Sequence, residues 1–145
     1  MSTRRIRLAE RMAAMAGFRE DNERQALALA NEHARQAAEE ERRRAAALIA
    51  IDLARMHALE NSGDLARYAL LSQMSWAADH DHHRASSARV DADLKAEQGA
   101  QTWAAARSRH EALDDRAEEM NTAYRLDLQT REVADAMDRW LARRP

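Results

Sequence analysis

A seven-residue repeat of small and apolar positions runs through the second half of the chain. One position of the repeat is small or apolar at every occurrence: Leu71, Ala78, Ala85, Ala92, Gly99, Ala106, Leu113 and Met120. A second position is more polar, and its members are Ser75, His82, Arg89, Ala96, Trp103, His110, Ala117 and Tyr124. A sustained heptad of this kind predicts a coiled coil, and the small residues favour a close approach of the two helices.

The first half of the chain carries a similar stripe of small and apolar residues. Its members are Leu27, Ala34, Ala38, Ala45, Ile49, Met56 and Leu59. Residues 30–47 contain only Ala, Asn, Gln, His, Glu and Arg, so large apolar side chains are missing there. Because alanine buries little apolar area, we expect the middle of the paired region to be its least stable part.

One cluster of turn-forming residues, Asn61-Ser62-Gly63-Asp64, separates the two halves. Gly63 can adopt the left-handed conformation that ends a helix, and Ser62 or Asp64 can cap the next one. Ser2 or Thr3 can cap the first helix. These signals predict an all-α fold in which 1–145 forms a single antiparallel two-helix coiled-coil hairpin. Its predicted elements are helix one over about 4–60, a turn over 61–64 and helix two over about 65–142.

The second helix is expected to overhang the first. With a turn centred near residue 62, residue 5 lies opposite about residue 120, which leaves 121–145 without a partner. At 1.5 Å per residue, this segment is roughly 37 Å long. It has an apolar stripe of its own, formed by Leu126, Val133, Met137, Trp140 and Leu141. A helix end with an apolar stripe and no internal partner predicts a docking tip for another molecule.

Composition favours helices with a thin core. The chain has 34 alanines among 145 residues, with only three glycines and one proline, which excludes strand-rich architectures. The 23 basic and 25 acidic side chains are interleaved, so no large field favours nucleic acid as a partner. Cysteine is absent, and we find neither a secretory signal nor an apolar run long enough for a membrane span. A soluble cytoplasmic protein is expected.

Catalytic and metal-binding motifs are missing from the sequence. It contains no glycine-rich phosphate loop, no supported Ser-His-Asp arrangement and no cysteine ligand set, so we expect no enzyme activity and no cofactor. The one conspicuous cluster is Asp79-His80-Asp81-His82-His83, in which His80 and His83 share a helix face. Two ligands on one helix make a weak site, so no metal is expected. A histidine-based metal sensor is the corresponding alternative.

Three segments of the chain form a pattern of known type. The first is GDLARYALLSQM, with Tyr68 and Leu71 followed by Ala78 and His82 at heptad spacing. The second is QTWAAARSRHEALDDRAEEM, with Trp103, Arg107, Leu113 and Arg116. The third is the chain end, TREVADAMDRWLARRP, which has an acidic-apolar-basic character. Together these segments resemble the FliJ family of flagellar type III export proteins and the related stalk proteins of virulence secretion systems. Late in the first helix, Leu48 and Ile51 stand where that family often has tyrosines.

The resemblance implies a central stalk that inserts its paired helix ends into a hexameric export ATPase and promotes ring assembly and ATP hydrolysis. It further implies contacts with export chaperones and the membrane export gate, so that the protein reaches the cytoplasmic face of the inner membrane only through partners. The ATPase-binding tip would comprise Arg5, Arg7, Leu126, Arg131, Val133, Met137, Trp140, Arg143 and Arg144. The gate and chaperone surface would comprise Leu48, Ile51, Tyr68, Leu71, Ala78 and His82. The alternative is a structural coiled-coil scaffold or adaptor that self-associates through 121–145.

Overall fold

Two long helices make up nearly all of the protein. The computed structural model describes residues 2–144, apart from the side chain of Ser62. Helix α1 spans Thr3–His57, a π-helical turn spans Ala58–Ser62, and helix α2 spans Leu65–Ala142. No strand occurs among the described residues, and the two helices pack against each other as an antiparallel hairpin. The predicted all-α hairpin is therefore confirmed, while the first and last residues of the predicted 1–145 domain lie outside the described range.

The chain divides into two compact units. One combines residues 2–24 with residues 102–144, and we call it the terminal unit. The other comprises Gln25–Gln101, and we call it the turn unit. Each unit contains a segment of α1 and a segment of α2, so every contact described below joins two residues of the same unit.

Burial along α2 follows the predicted heptad. All eight positions of the series from Leu71 to Met120 are buried or half-buried. The more polar series from Ser75 to Tyr124 is also turned inward, with Arg89 as its one exposed member. The small residues Ala85 and Ala117 are among the most buried side chains of the described chain. The predicted close approach of the helices is consistent with this burial.

Burial along α1 corrects the predicted stripe. Leu27, Ala34, Ala38 and Ala45 are half-buried as predicted, but Ile49, Met56 and Leu59 are exposed. The inward-facing residues of α1 instead recur every seven positions and form two series. These are Ile6, Ala13, Glu20, Leu27, Ala34, Glu41, Leu48 and Arg55, and Ala9, Ala16, Glu23, Ala30, Ala37, Arg44, Ile51 and Ala58, of which Arg44 is the one exposed member. The prediction followed the large apolar residues, whereas the α1 phase is set by pairing with α2 and admits several charged side chains.

The helix ends use the caps that the sequence predicts. The Asp64 carboxylate accepts a hydrogen bond from the Arg67 backbone N–H at 3.0 Å. The Ser2 hydroxyl accepts one from the Arg4 backbone N–H at 3.3 Å. Gly63 has φ 58°, the left-handed conformation predicted for it. The α-helical part of helix one ends at His57 rather than near residue 60, because the chain widens into a π-helical turn before it reverses.

Replacing Gly63 with alanine is expected to lower the free energy of unfolding by about 1 kcal/mol, because a Cβ is unfavourable at positive φ. No heavy atom lies within 4 Å of the position a Cβ would occupy, so the cost comes from the backbone alone. Denaturant unfolding measures the change. Gly63→Asn is the control and should lose less, because asparagine tolerates this conformation better. Equal stability of the alanine variant and the natural chain would contradict the left-handed turn.

Candidate functional site

The free end of α2 is shorter than the sequence predicts. The Asn121 side chain donates a hydrogen bond to a Glu10 carboxylate oxygen at 2.9 Å, and Tyr124 and Asp127 are half-buried. From Leu128 to Arg144 every residue is exposed. We therefore define the overhang as residues 128–144, which corrects the predicted 121–145. The difference arises because the π-helical turn moves the chain reversal to Gly63 and Asp64, so that α1 pairs with residues further along α2.

An apolar stripe follows the overhang and the turn of helix before it. The stripe consists of Leu126, Val133, Met137, Trp140 and Leu141, whose exposed fractions lie between 53% and 60%. Arginines border it: the Arg144 guanidinium lies 4.0 Å from the centre of the Trp140 ring, and Arg131 pairs with Asp127 at 2.9 Å. Arg143 is also exposed. The end of α2 thus presents aromatic, aliphatic and basic groups together, a combination that is common at binding hot spots.

The predicted basic residues at the start of α1 belong to the same unit as the overhang. Arg5 and Arg7 are both exposed, and neighbouring Leu8 is 58% exposed. All nine residues assigned to the ATPase-binding tip therefore lie on the surface of the terminal unit.

The predicted gate and chaperone residues lie in a different environment. All six are half-buried in the turn unit, and they are Leu48, Ile51, Tyr68, Leu71, Ala78 and His82. Each occupies an inward-facing heptad position, and the Arg55 guanidinium lies 5.9 Å from the centre of the Tyr68 ring. Packing between α1 and α2 accounts for the partial burial of these residues. The larger exposed apolar groups of this unit include Leu70, Met74 and Trp76, and Trp76 stacks on His80.

Polar pairs join the two helices within each unit. In the terminal unit, His110 Nδ1 lies 2.5 Å from a Glu20 carboxylate oxygen. In the turn unit, the Ser75 hydroxyl donates to Asp52 at 2.6 Å, and Arg89 donates to Glu41 at 3.1 Å. A polar group at a seam position favours the one alignment that satisfies it. These pairs explain why charged and polar residues occupy seam positions, because each pair favours one alignment of the two helices. They do not require a catalytic role for these residues.

Exposed ion pairs within α1 cover the alanine-rich middle of the helix. Arg35 binds Glu32 at 2.6 Å and Glu39 at 2.7 Å, and Arg44 binds Glu40 at 2.7 Å. The hydrogen bond from Arg35 lowers the pKa of the Glu32 carboxyl, and Glu32 in turn raises the pKa of Arg35. Solvent-exposed pairs of this kind contribute little to stability. We therefore still expect this region to be the least stable part of the hairpin, because its alanines bury little apolar area.

The histidine cluster forms local pairs on α2. His83 Nε2 lies 3.5 Å from an Asp79 carboxylate oxygen, and the rings of His82 and His83 are 6.1 Å apart. Within residues 2–144, no group of three or more metal-ligating side chains is close enough to hold an ion.

A groove on the terminal unit was not predicted. Its volume is about 370 Å³, and it is lined by Met12, Met15, Ala16, Arg19, Glu23, Thr102, Ala105, Ala106, Arg109 and Leu113. Sequence analysis missed it because Met12 and Met15 lie outside the heptad seam. The groove could have been predicted from the spacing of Leu8, Met12 and Met15, because this spacing places three apolar side chains on one helix face.

The two helical glycines of the seam should respond differently to alanine. At Gly99 a Cβ would meet Leu27 at 3.5 Å, an ordinary contact, whereas at Gly17 it would lie 3.0 Å from His110 Nε2. Since alanine favours a helix over glycine by about 1 kcal/mol, Gly99→Ala should raise the free energy of unfolding by that amount. Gly17→Ala should gain less or lose stability, because His110 is held by Glu20.

Denaturant unfolding of the two variants checks this, with Gly17→Ala repeated in a His110→Ala background. In the His110→Ala background, Gly17→Ala should raise the free energy of unfolding by the full difference in helix propensity, about 1 kcal/mol. Equal gains at both glycines in the natural background would show that His110 does not crowd Gly17.

Comparisons with known proteins do not assign a function to this chain. No protein-family model matches the chain, and searches of curated proteins and solved structures also yield no match. Neither α1 nor α2, over the residues described, has the length of apolar sequence that crossing a membrane requires.

Proposed function

We propose that this chain is a non-enzymatic central stalk of a flagellar or related type III export ATPase. The observation that carries the proposal is the overhang, an exposed helix end with an apolar stripe and arginines beside the basic start of α1. The sequence resemblance to the FliJ family supplies the partner, a hexameric ATPase whose pore would receive the paired helix ends. Contacts with export chaperones and the membrane export gate belong to the same proposal.

The physical basis of stimulation would be preferential binding to the assembled ring. A stalk that contacts several subunits of a hexamer binds the hexamer better than its separate subunits, and mass action then favours assembly. Catalytic groups would come from the ATPase, and the stalk would supply the apolar stripe and arginines. For the gate and chaperones, the exposed Leu70, Met74 and Trp76 of the turn unit offer more surface than the half-buried residues singled out by the resemblance.

The test is to mix the purified chain with the hexameric export ATPase of the same organism and to measure ATP hydrolysis. Stimulation is expected at a near-stoichiometric ratio. Trp140→Ala and Arg143→Glu should each raise the concentration needed for half-maximal stimulation by about tenfold, as expected for loss of a hot-spot contact. Neither should change the unfolding midpoint of the single chain at low concentration, because both residues lie beyond the paired region.

Trp76→Ala provides a matched control. Trp76 is 75% exposed and Trp140 is 54% exposed, but Trp76 belongs to the turn unit. The Trp76 variant should stimulate hydrolysis like the natural chain. An unchanged rate and no co-elution of chain and ATPase would refute the stalk proposal and favour the scaffold alternative.

A further inference from the structure

The groove and the overhang are complementary surfaces of the terminal unit. The groove is lined by apolar side chains that include Met12, Met15 and Ala105, and by the charged side chains of Arg19, Glu23 and Arg109. Neither arginine forms an ion pair or hydrogen bond with any residue in the described part of the chain. The overhang carries exposed large side chains, among them Met137 and Trp140. The two groove arginines therefore lack ion-pair partners within the described chain, and the overhang lacks a surface against which to bury its apolar side chains.

The overhang cannot fill the groove of its own chain. Helix α2 continues without a break to Ala142, so the segment after Leu128 points away from the groove residues of the same helix. Filling the groove with this segment requires a second copy.

The α2 residues of the groove and those of the overhang occupy equivalent heptad positions. Trp140 follows Ala105 by five heptads, Met137 follows Arg109 by four, and Leu141 follows Leu113 by four. Residues separated by multiples of seven lie on the same face of a helix that takes part in a coiled coil, so these residues would share a face once two α2 helices pair. Two α2 helices laid antiparallel on this face bring each overhang to the groove of the other copy.

We propose that the occupant of the groove is the overhang of a second copy of this chain, bound antiparallel around a two-fold axis. One register satisfies both groove arginines. With Ala112 opposite Met137 of the second copy, Arg109 lies opposite the second copy's Trp140, which allows a cation–π contact. Arg19 borders the same part of the groove and comes close to the second copy's Asp138, an acidic partner.

Other contacts in this register are matched in size or charge, while Arg116 falls opposite Val133 and Glu119 opposite Thr130. Ala112 faces the larger Met137, and Ala123 near the two-fold axis faces Leu126, so small residues meet large ones. Glu23 at the other end of the groove comes close to the second copy's Arg144. The two α2 helices overlap from about residue 105 to residue 144, a length of roughly 60 Å.

Symmetry makes this assembly a closed dimer. Each copy contributes one overhang and one groove, so both surfaces are used in a two-fold pair and none remains to extend a filament. At either end, the overhang of one copy adds a third helix beside α1 and α2 of the other. This differs from an open scaffold that grows by self-association.

The dimer does not rest on the proposed stalk function. Because both use the apolar stripe, the ATPase ring and the second copy would compete for it. Sedimentation of the chain alone tests the dimer, while ATP hydrolysis tests the stalk, so either proposal can fail without the other.

The first experiment is sedimentation equilibrium of the full chain over a range of concentrations. The mass should rise from the 16.5 kDa of one chain to twice that value. Arg19→Glu and Asp138→Arg should each raise the dimer dissociation constant by about tenfold, because each places like charges opposite one another. The double variant Arg19→Glu/Asp138→Arg should restore dimerisation, since the pair is then opposite in charge again.

Arg24→Glu is the matched control, because Arg24 is an exposed arginine of α1 that is absent from the groove. It should dimerise like the natural chain. A single-chain mass up to about 100 µM, a weak affinity for a specific interface, would overturn the proposal. So would a dimer that neither charge reversal weakens, or one that the double variant fails to restore, and a foreign helix would then be the better occupant.

The absence of cysteine allows a direct test of the register. Ala112→Cys with Met137→Cys in one chain should give a covalent dimer with a short thiol cross-linker. Ala105→Cys with Met137→Cys, offset by one heptad or roughly 10 Å, should react poorly. Preferential cross-linking of the offset pair would overturn the proposed register.

Discussion

Removal of residues 128–145 is expected to abolish stimulation of the hexameric export ATPase while leaving the hairpin folded. The deleted segment carries four of the five stripe residues, and all its described residues are exposed. Exposed residues that contact only their own helix contribute little to the free energy of unfolding. Helicity per residue and the unfolding midpoint, measured at a chain concentration below the dimer dissociation constant, should therefore match those of the natural chain, whereas the hydrolysis rate should fall to that of the ATPase alone.

A second variant separates the length of the overhang from its chemistry. Replacing Val133, Met137 and Trp140 with glutamine keeps a helix-forming side chain at every position but removes apolar surface. This variant should fail to stimulate hydrolysis as the truncation does, if the stripe binds the ring. Full stimulation by the glutamine variant would mean that the length alone matters. Unfolding of the hairpin after truncation would show that the overhang packs against the chain.

The largest expected loss of stability comes from Ala117→Leu, at about 1–3 kcal/mol. Ala117 is 6% exposed, and the same unit buries Ala13 and Ala16 of α1, so three small side chains let the helices approach closely. A leucine there requires the helices to separate or its own side chain to leave its preferred rotamer. Denaturant unfolding measures the loss.

Ala104→Leu is the control for this substitution, because Ala104 is exposed on the same helix and in the same unit. It should change the free energy of unfolding by only a few tenths of a kcal/mol, the difference in helix propensity. Equal stability of the two leucine variants would contradict close packing at Ala117.

The second helix was predicted more accurately than the first, for a physical reason. In α2 the small residues recur strictly in sevens from Ala78 to Ala106, and only a small side chain fits where two backbones come close. In α1 the inward positions include Glu20 and Glu41, which hydrogen-bond to His110 and Arg89 across the hairpin. Apolar character therefore predicted the inward face of α2 correctly, but it predicted the inward face of α1 wrongly at Ile49.

Local sequence determined the helices, the left-handed Gly63, the Asp64 cap and the inward face of α2. Each depends on residues within one turn or on a repeat along a single helix. Tertiary structure decided the phase of α1 beyond Ala45, the start of the overhang at Leu128 and the groove beside Met15. These features depend on which residues of α1 and α2 lie opposite one another. Pairs such as Glu10 and Asn121 are separated by 111 positions, and their alignment follows from packing and polar contacts between the helices.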